Sequence, residues 1–297
     1  QQVTDTPDKS FTNALKLVVT TTDTSGTNGY ALETILETNS VTGTGWGGSN
    51  SNAKKATISF HVKSSITGTY SVALRLDTSD GIPSNVAEFT IDSANTWEKK
   101  TITFPAYTGA DAVNGCIINF GLGKQTSKTT STLLTWQTSN FVFGNNQVDW
   151  QSNSAATFFI TGIQFEIGSQ ATPFEHRSFG EELTLCQRYC QVRLGSKGSN
   201  GVNAQLGIGN ARSSTQAFIQ DRLQVEMRDH PSLTVVNPTL FYLYQTTAHA
   251  TTAVAIDISD VNNMLLVATV SSGLTSPTFY TFGTNNANAQ VIYSAEL

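Results

Sequence analysis

Between Phe158 and Cys190 the chain switches periodicity twice, and that switch limits it to sheet-built lobes joined by a short helical link. Phe159, Thr161, Ile163, Phe165 and Ile167 alternate with Phe158, Ile160, Gly162, Gln164 and Glu166, a period of two that predicts a strand with one face fully buried. An extended Pro173-Phe174 segment follows. Leu183, Cys186, Arg188 and Cys190 then fall at helical spacing behind Glu181 and Glu182, whose carboxylates suit the positive end of a helix dipole. The stretch reads as a hinge between two β domains.

A chain of 297 residues exceeds the ~100–200 residues of one typical domain, so two domains are expected. Strand-like runs with polar turns recur on both sides of the hinge. Before it they are Leu15–Thr20, Thr57–Lys63, Tyr70–Leu76, Ala87–Ile91, Lys100–Phe104, Ile117–Leu122 and Phe158–Glu166. After it come Gln191–Leu194, Ala204–Ile208, Phe218–Met227, Leu233–Val236, Leu240–Tyr244, Ala253–Ile258, Met264–Val270, Thr278–Phe282 and Gln290–Tyr293, with loops expected at Gly195 to Asn203 and Gly283 to Asn288. Short strands without intervening helices predict an all-β chain: a jelly-roll β-sandwich over residues 1–178, a linking helix over 179–190 and a second β-sandwich over 191–297. No fixed-period repeat supports a solenoid. Thr57, Ser59, His61 and Lys63 alternate with Ile58, Phe60 and Val62, which predicts a solvent-facing side for that strand. The long polar excursion from 123 to 155 is expected to hold one more strand or hairpin, and a binding surface.

Only 13% of residues are charged, about half the usual quarter. Ser, Thr, Asn and Gly supply the polarity instead, with a mean hydropathy of −0.15, which suits a secreted or virion-type β protein. A hydrophobic content of 38% with 16 Phe can fill a core, so disorder is not expected. A net charge of −5 argues against a phosphate-binding surface, so nucleic acid is not an expected partner. No apolar run is long enough to span a bilayer. Residue 1 is Gln, so an upstream segment is expected to be missing or removed. Cys116, Cys186 and Cys190 are an odd set, which fits a reducing compartment. Cys186 and Cys190, four apart, read as small packing residues, since a metal would need two further ligands.

Catalytic signatures are weak. Gly121-Leu122-Gly123-Lys124 has Ile118 and Gln125 where a phosphate loop needs Gly and Ser or Thr. Gly207-Ile208-Gly209 has Arg212 in place of a third glycine. Both read as strand ends. Asp77, Asp80 and Gly81 read as a β-turn and lack calcium-loop spacing; a structural calcium assembled from distant residues stays open, and no other cofactor is expected. No Gly-x-Ser-x-Gly elbow or carboxylate pair stands in a catalytic context, so the chain is read as a non-enzyme. Sugar recognition pairs a flat aromatic with amides or carboxylates, which makes Trp46, Trp136, Asp149 and Trp150 the candidates, with burial under loops as the alternative for each Trp. Trp97 reads as core. Phe174, His176 and Arg177 read as structural residues between the domains, Phe174 plugged into the first and Arg177 bonded to carbonyls or a carboxylate.

The ordered run of Ala171-Thr172-Pro173-Phe174-Glu175-His176-Arg177, Gly180-Glu181-Glu182-Leu183 and Leu185-Cys186-Gln187-Arg188-Tyr189 resembles a module of tailed-bacteriophage tail fibres and related virion appendages. Upstream, Ile58 to Ser65 and Ser93 to Thr103 are similar to that family's jelly-roll domain, itself similar to carbohydrate-binding modules; downstream, Val225 to Ser232 and Tyr293 to Leu297 are similar to its C-terminal β domain. The chain departs from the pattern at Cys190 and at His61, where the family tends to carry an aromatic and a Trp. The resemblance implies a virion protein assembled in the host cytoplasm as a homotrimer, joined to other tail proteins through an upstream segment, with a host-surface glycan as partner. A head fibre, collar or capsid-decoration protein is the alternative, and a polysaccharide depolymerase the third.

Overall fold

The structure, a computed structural model, describes residues 1–194 and 204–296; the expected loop at Gly195 to Asn203 lies outside them. The chain divides into two compact units, Gln1–Glu175 and His176–Leu297, and among the described residues it is all-β apart from two short helices and a few 3-10 turns.

The first unit contains β1 (Gln2–Val3), β2 (Ala14–Val18), β3 (Ala31–Glu37), α1 (Thr38–Val41), β4 (Ala56–Ser64), β5 (Gly68–Thr78), β6 (Ser84–Ile91), β7 (Glu98–Phe104), β8 (Val113–Gly121), β9 (Thr129–Thr130), β10 (Phe143–Gly144) and β11 (Thr157–Ile167). They form a five-stranded sheet, β1-β2-β11-β4-β7, and a four-stranded sheet, β3-β8-β5-β6. Both sheets line one core. Phe60 of β4 meets Phe120 of β8 and Phe89 of β6 edge to face, with centroids 5.0 and 5.1 Å apart, an arrangement that adds to area burial. At the far end Tyr70 is fully buried, its hydroxyl shared with Ser64 at 2.9 Å, and burial pushes its pKa up to about 12.

The predicted alternation of β11 is interrupted. Its pairing with β4 shifts register between Thr161 and Gln164, and Gly162 there has φ +59°, a conformation glycine takes at little cost. Phe158 and Ile160 point into the core before the bulge, and Ile163 and Phe165 pack on it afterwards. Phe159 lies on the other side, 4.3 Å beneath the Lys63 ammonium.

The outer side of β4 is not solvent-facing as expected. Thr57, Ser59 and Lys63 are buried, because two segments fold across them. Thr57 donates to the Gly168 carbonyl at 2.9 Å, Lys63 pairs with Asp5, and Phe11 covers His61 at 5.0 Å. Trp97 belongs to this outer layer and not to the core: it is part-exposed, donates to Asp5 at 3.1 Å and lies 5.1 Å from Lys63.

The excursion from 123 to 155 holds only the two-residue parallel pair β9–β10 and two 3-10 turns. It lies back over the four-stranded sheet. Gly144 donates to Ser71, Val148 to Thr69, and Leu134 and Gln137 bond to Val86 and Ser84 along the free side of β6, so its backbone polar groups find partners in the sheet.

The second unit opens with α2 (Phe179–Gln187), followed by β12 (Cys190–Leu194), β13 (Ala204–Ala211), β14 (Gln216–Arg222), β15 (Ser232–Val236), β16 (Phe241–Tyr244), β17 (Ala248–Ser259), β18 (Asn263–Val270), β19 (Phe279–Thr284) and β20 (Gln290–Ser294). Helix α2 is shorter than the expected 179–190 and ends before Cys190, which begins a strand, so Cys186 and Cys190 do not share a helix face. Ser178 accepts from the Glu181 amide and Glu181 reaches back to the Ser178 amide, a capping box.

Where a sandwich was expected, β13-β14-β18-β17-β16-β19 close into a barrel beside a three-stranded sheet, β12-β20-β15. Phe241 and Phe282 stack inside at 5.3 Å, with Ile219, Leu243, Leu266 and Ala268 around them. On β13 the small residues, Gly209 and Ala211, follow the inward period, while Ile208 and Asn210 point out. A Cβ on Gly209 would meet the Phe218 carbonyl oxygen at 1.6 Å, so only glycine allows β14 to approach there. Gly207-Ile208-Gly209 is therefore strand interior, not a strand end.

Candidate functional site

The structure splits the four sugar-binding candidates into two pairs, Trp46 with Trp136 and Asp149 with Trp150, and buries one tryptophan of each. Trp46 follows a left-handed Gly45 and enters the core, its indole N–H donating to the Lys54 carbonyl at 2.7 Å. Trp136 sits edge-on to it with centroids 5.5 Å apart, is part-buried, and donates to the Pro105 carbonyl. Trp150 is buried against Phe158 and donates to Thr157. Each indole N–H already has a partner, and neither Trp46 nor Trp150 offers a face to a ligand. Asp149 caps a 3-10 turn through its carbonyl, which accepts from Ser152 and Asn153. Burial raises its carboxyl pKa, opposed by Lys124 and assisted by Asp23. These are packing and turn residues.

The hinge residues make contacts within their own units. Phe174 packs on Phe11 at 5.3 Å, Gln164 accepts from the Glu175 amide at 2.7 Å, and exposed Arg177 pairs with Glu182 at 3.3 Å. His176 is exposed. Arg75 forms a polar cluster on the four-stranded sheet, donating to Asn119 at 2.6 Å and Asn140 at 3.1 Å while pairing with Glu33. Each of its three guanidinium nitrogens has a partner within the protein. Cys116 is buried, its thiol pushed up to about 12 by burial, and no group of three or more His, Cys, Asp or Glu among the described residues could hold a metal ion.

An exposed ring, a half-buried one and exposed amides come together elsewhere, on the outer wall of the barrel. A concavity of about 600 Å³ is lined by Ile208, Asn210, Phe218, Gln220, Ile258, Asp260, Asn263, Leu265 and Phe279 among others. Register builds it as two rows. Phe279 of β19, Asn210 of β13 and Phe218 of β14 are direct cross-strand neighbours; Ile208, Gln220, Leu265 and Ile258 form the next row across β13, β14, β18 and β17. Strands ~4.8 Å apart put the two rings roughly 10 Å from each other with an amide between.

Phe279 is 69% exposed, and Ile208 and Ile258 are each 62% exposed. Asn210 and Gln220 are exposed too, and their side-chain amides bond to no described residue. At one end Asp260 accepts from the Val261 amide and Asn263 donates to Asn262. Arg212 lies 5.2 Å from the Phe218 ring. Chemically, the wall offers flat apolar surface for C–H groups and free amides for hydroxyls.

The sequence placed β13, β14, β18 and β19 but not which residues faced out. In an open sandwich the larger apolar residues point in; here the interior beside β13 takes Gly and Ala and the Ile is displaced outward. The available signal was the run Gly207-Ile208-Gly209-Asn210-Ala211, which sets small residues at alternate positions.

Comparison with known protein families finds no match to this chain, and comparison with curated protein sequences finds none either. No helix among the described residues is long and apolar enough to cross a membrane.

Proposed function

We propose that this protein is a structural component of a bacteriophage virion, part of a tail fibre, that recognises host-surface glycans without catalysis and works as a homotrimer. The observation that carries the reading is the barrel wall, where Phe279 and Phe218 flank the free amide of Asn210. That pairing of ring faces with unengaged amides matches how sugars are held in shallow sites. The resemblance of the hinge to appendage proteins supports the virion setting. Exposed apolar residues on α2, with Phe179 82% and Leu183 43% exposed, support a multi-copy assembly that covers them.

Phe279→Ala tests the site. The ring is exposed, so the expected result is an unchanged unfolding midpoint with loss of binding on a glycan array of host-surface saccharides. Undiminished binding by the variant, or no binding by the parent protein, overturns the reading.

A further inference from the structure

We infer that the barrel wall selects an N-acetylated hexosamine over plain hexoses; this rests on reading the wall as a glycan site. An acetamido group presents a methyl beside an amide and is best held where an apolar floor adjoins a free amide. The second row of the wall has that composition. Gln220, exposed and unbonded, has Ile208 on one side and Leu265 with Ile258 on the other, all direct cross-strand neighbours. The methyl lies against the branched side chains, and the amide N–H and carbonyl exchange hydrogen bonds with Gln220. The first row, with Phe279 and Phe218, takes the C–H faces of the sugar rings.

Isothermal titration of the full chain with N,N′-diacetylchitobiose and cellobiose tests this. One buried methyl and one added hydrogen bond predict binding of the acetylated disaccharide about tenfold tighter than cellobiose. The double variant Gln220→Ala, Ile258→Ser removes side chains that point outward; it is expected to bring the affinity for the acetylated disaccharide down to that for cellobiose, whatever its effect on cellobiose itself. Equal affinities for the acetylated and plain disaccharides, or a double variant that keeps the preference, each overturn the inference and leave the glycan reading standing. No binding of either disaccharide overturns both; sedimentation showing self-association lost in Phe279→Ala would then assign the wall to a second copy of the chain.

Discussion

Tyr293 and Arg193 tie the three-stranded sheet of the second unit to the barrel at one carboxylate. Tyr293 is fully buried on β20 and donates to the equally inaccessible Asp221 carboxylate of β14 at 2.7 Å, while Arg193 approaches the same carboxylate at 3.2 Å. Burial, reinforced by Asp221, holds the phenol above its ordinary pKa. Tyr293→Phe keeps the ring but leaves a carboxylate oxygen without that donor, at an expected cost of about 1–3 kcal/mol, read as a lowered urea midpoint. At His61 the same cause, burial that disfavours the charged form, shifts the pKa the other way. Burial lowers its pKa, Lys99 adds to the shift, Asp8 opposes it, and its Nδ1 is buried beneath Phe11. The folded state binds this proton more weakly than the unfolded state, so the stabilisation is complete above the ordinary value of 6.5 and is lost as pH falls below it. Urea midpoints at pH 7.5 and 5 should differ less in His61→Leu than in the parent protein.

At the level of elements, strand positions were legible and facing was not. Period-two runs located β4, β5, β6, β7, β8 and β11, because burial of one sheet face leaves that mark whatever the topology. β3 was missed because Ile35 and Leu36 are adjacent: Leu36 faces the core opposite Cys116, while Ile35 faces out opposite Ile117. Within β11, Gly162 marked the bulge that exchanges faces, yet an unbroken alternation also fits the letters. Tryptophan misled for a related reason, since a large aromatic among glycines and amides reads equally as a ligand platform or as a plug under a loop, and only burial separates the two. Helix α2 was visible from its acidic start. Because none of its residues is buried, its order depends on local terms more than on packing, so Ser178→Ala should weaken it by about 1 kcal/mol and speed amide hydrogen exchange within 179–187 while hardly moving the global unfolding transition.

For the whole molecule, glycan recognition as proposed carries a demand: the wall is shallow, so affinity for a saccharide would have to come from copies acting together. A homotrimer presenting three walls to a dense glycan surface should adhere at least about 100-fold more tightly than one wall holds the free sugar. Surface plasmon resonance on dense and sparse glycan layers measures that ratio, and sedimentation equilibrium gives the copy number. Closure of the barrel leaves its six strands no free side, whereas β6 in the first unit has one, which Leu134 to Gln137 cover. Trimming the 123 to 155 excursion would therefore not yield a leaner sandwich: it would bare a row of unpaired amides and carbonyls along β6, a template on which further chains could add strand to strand into insoluble polymer.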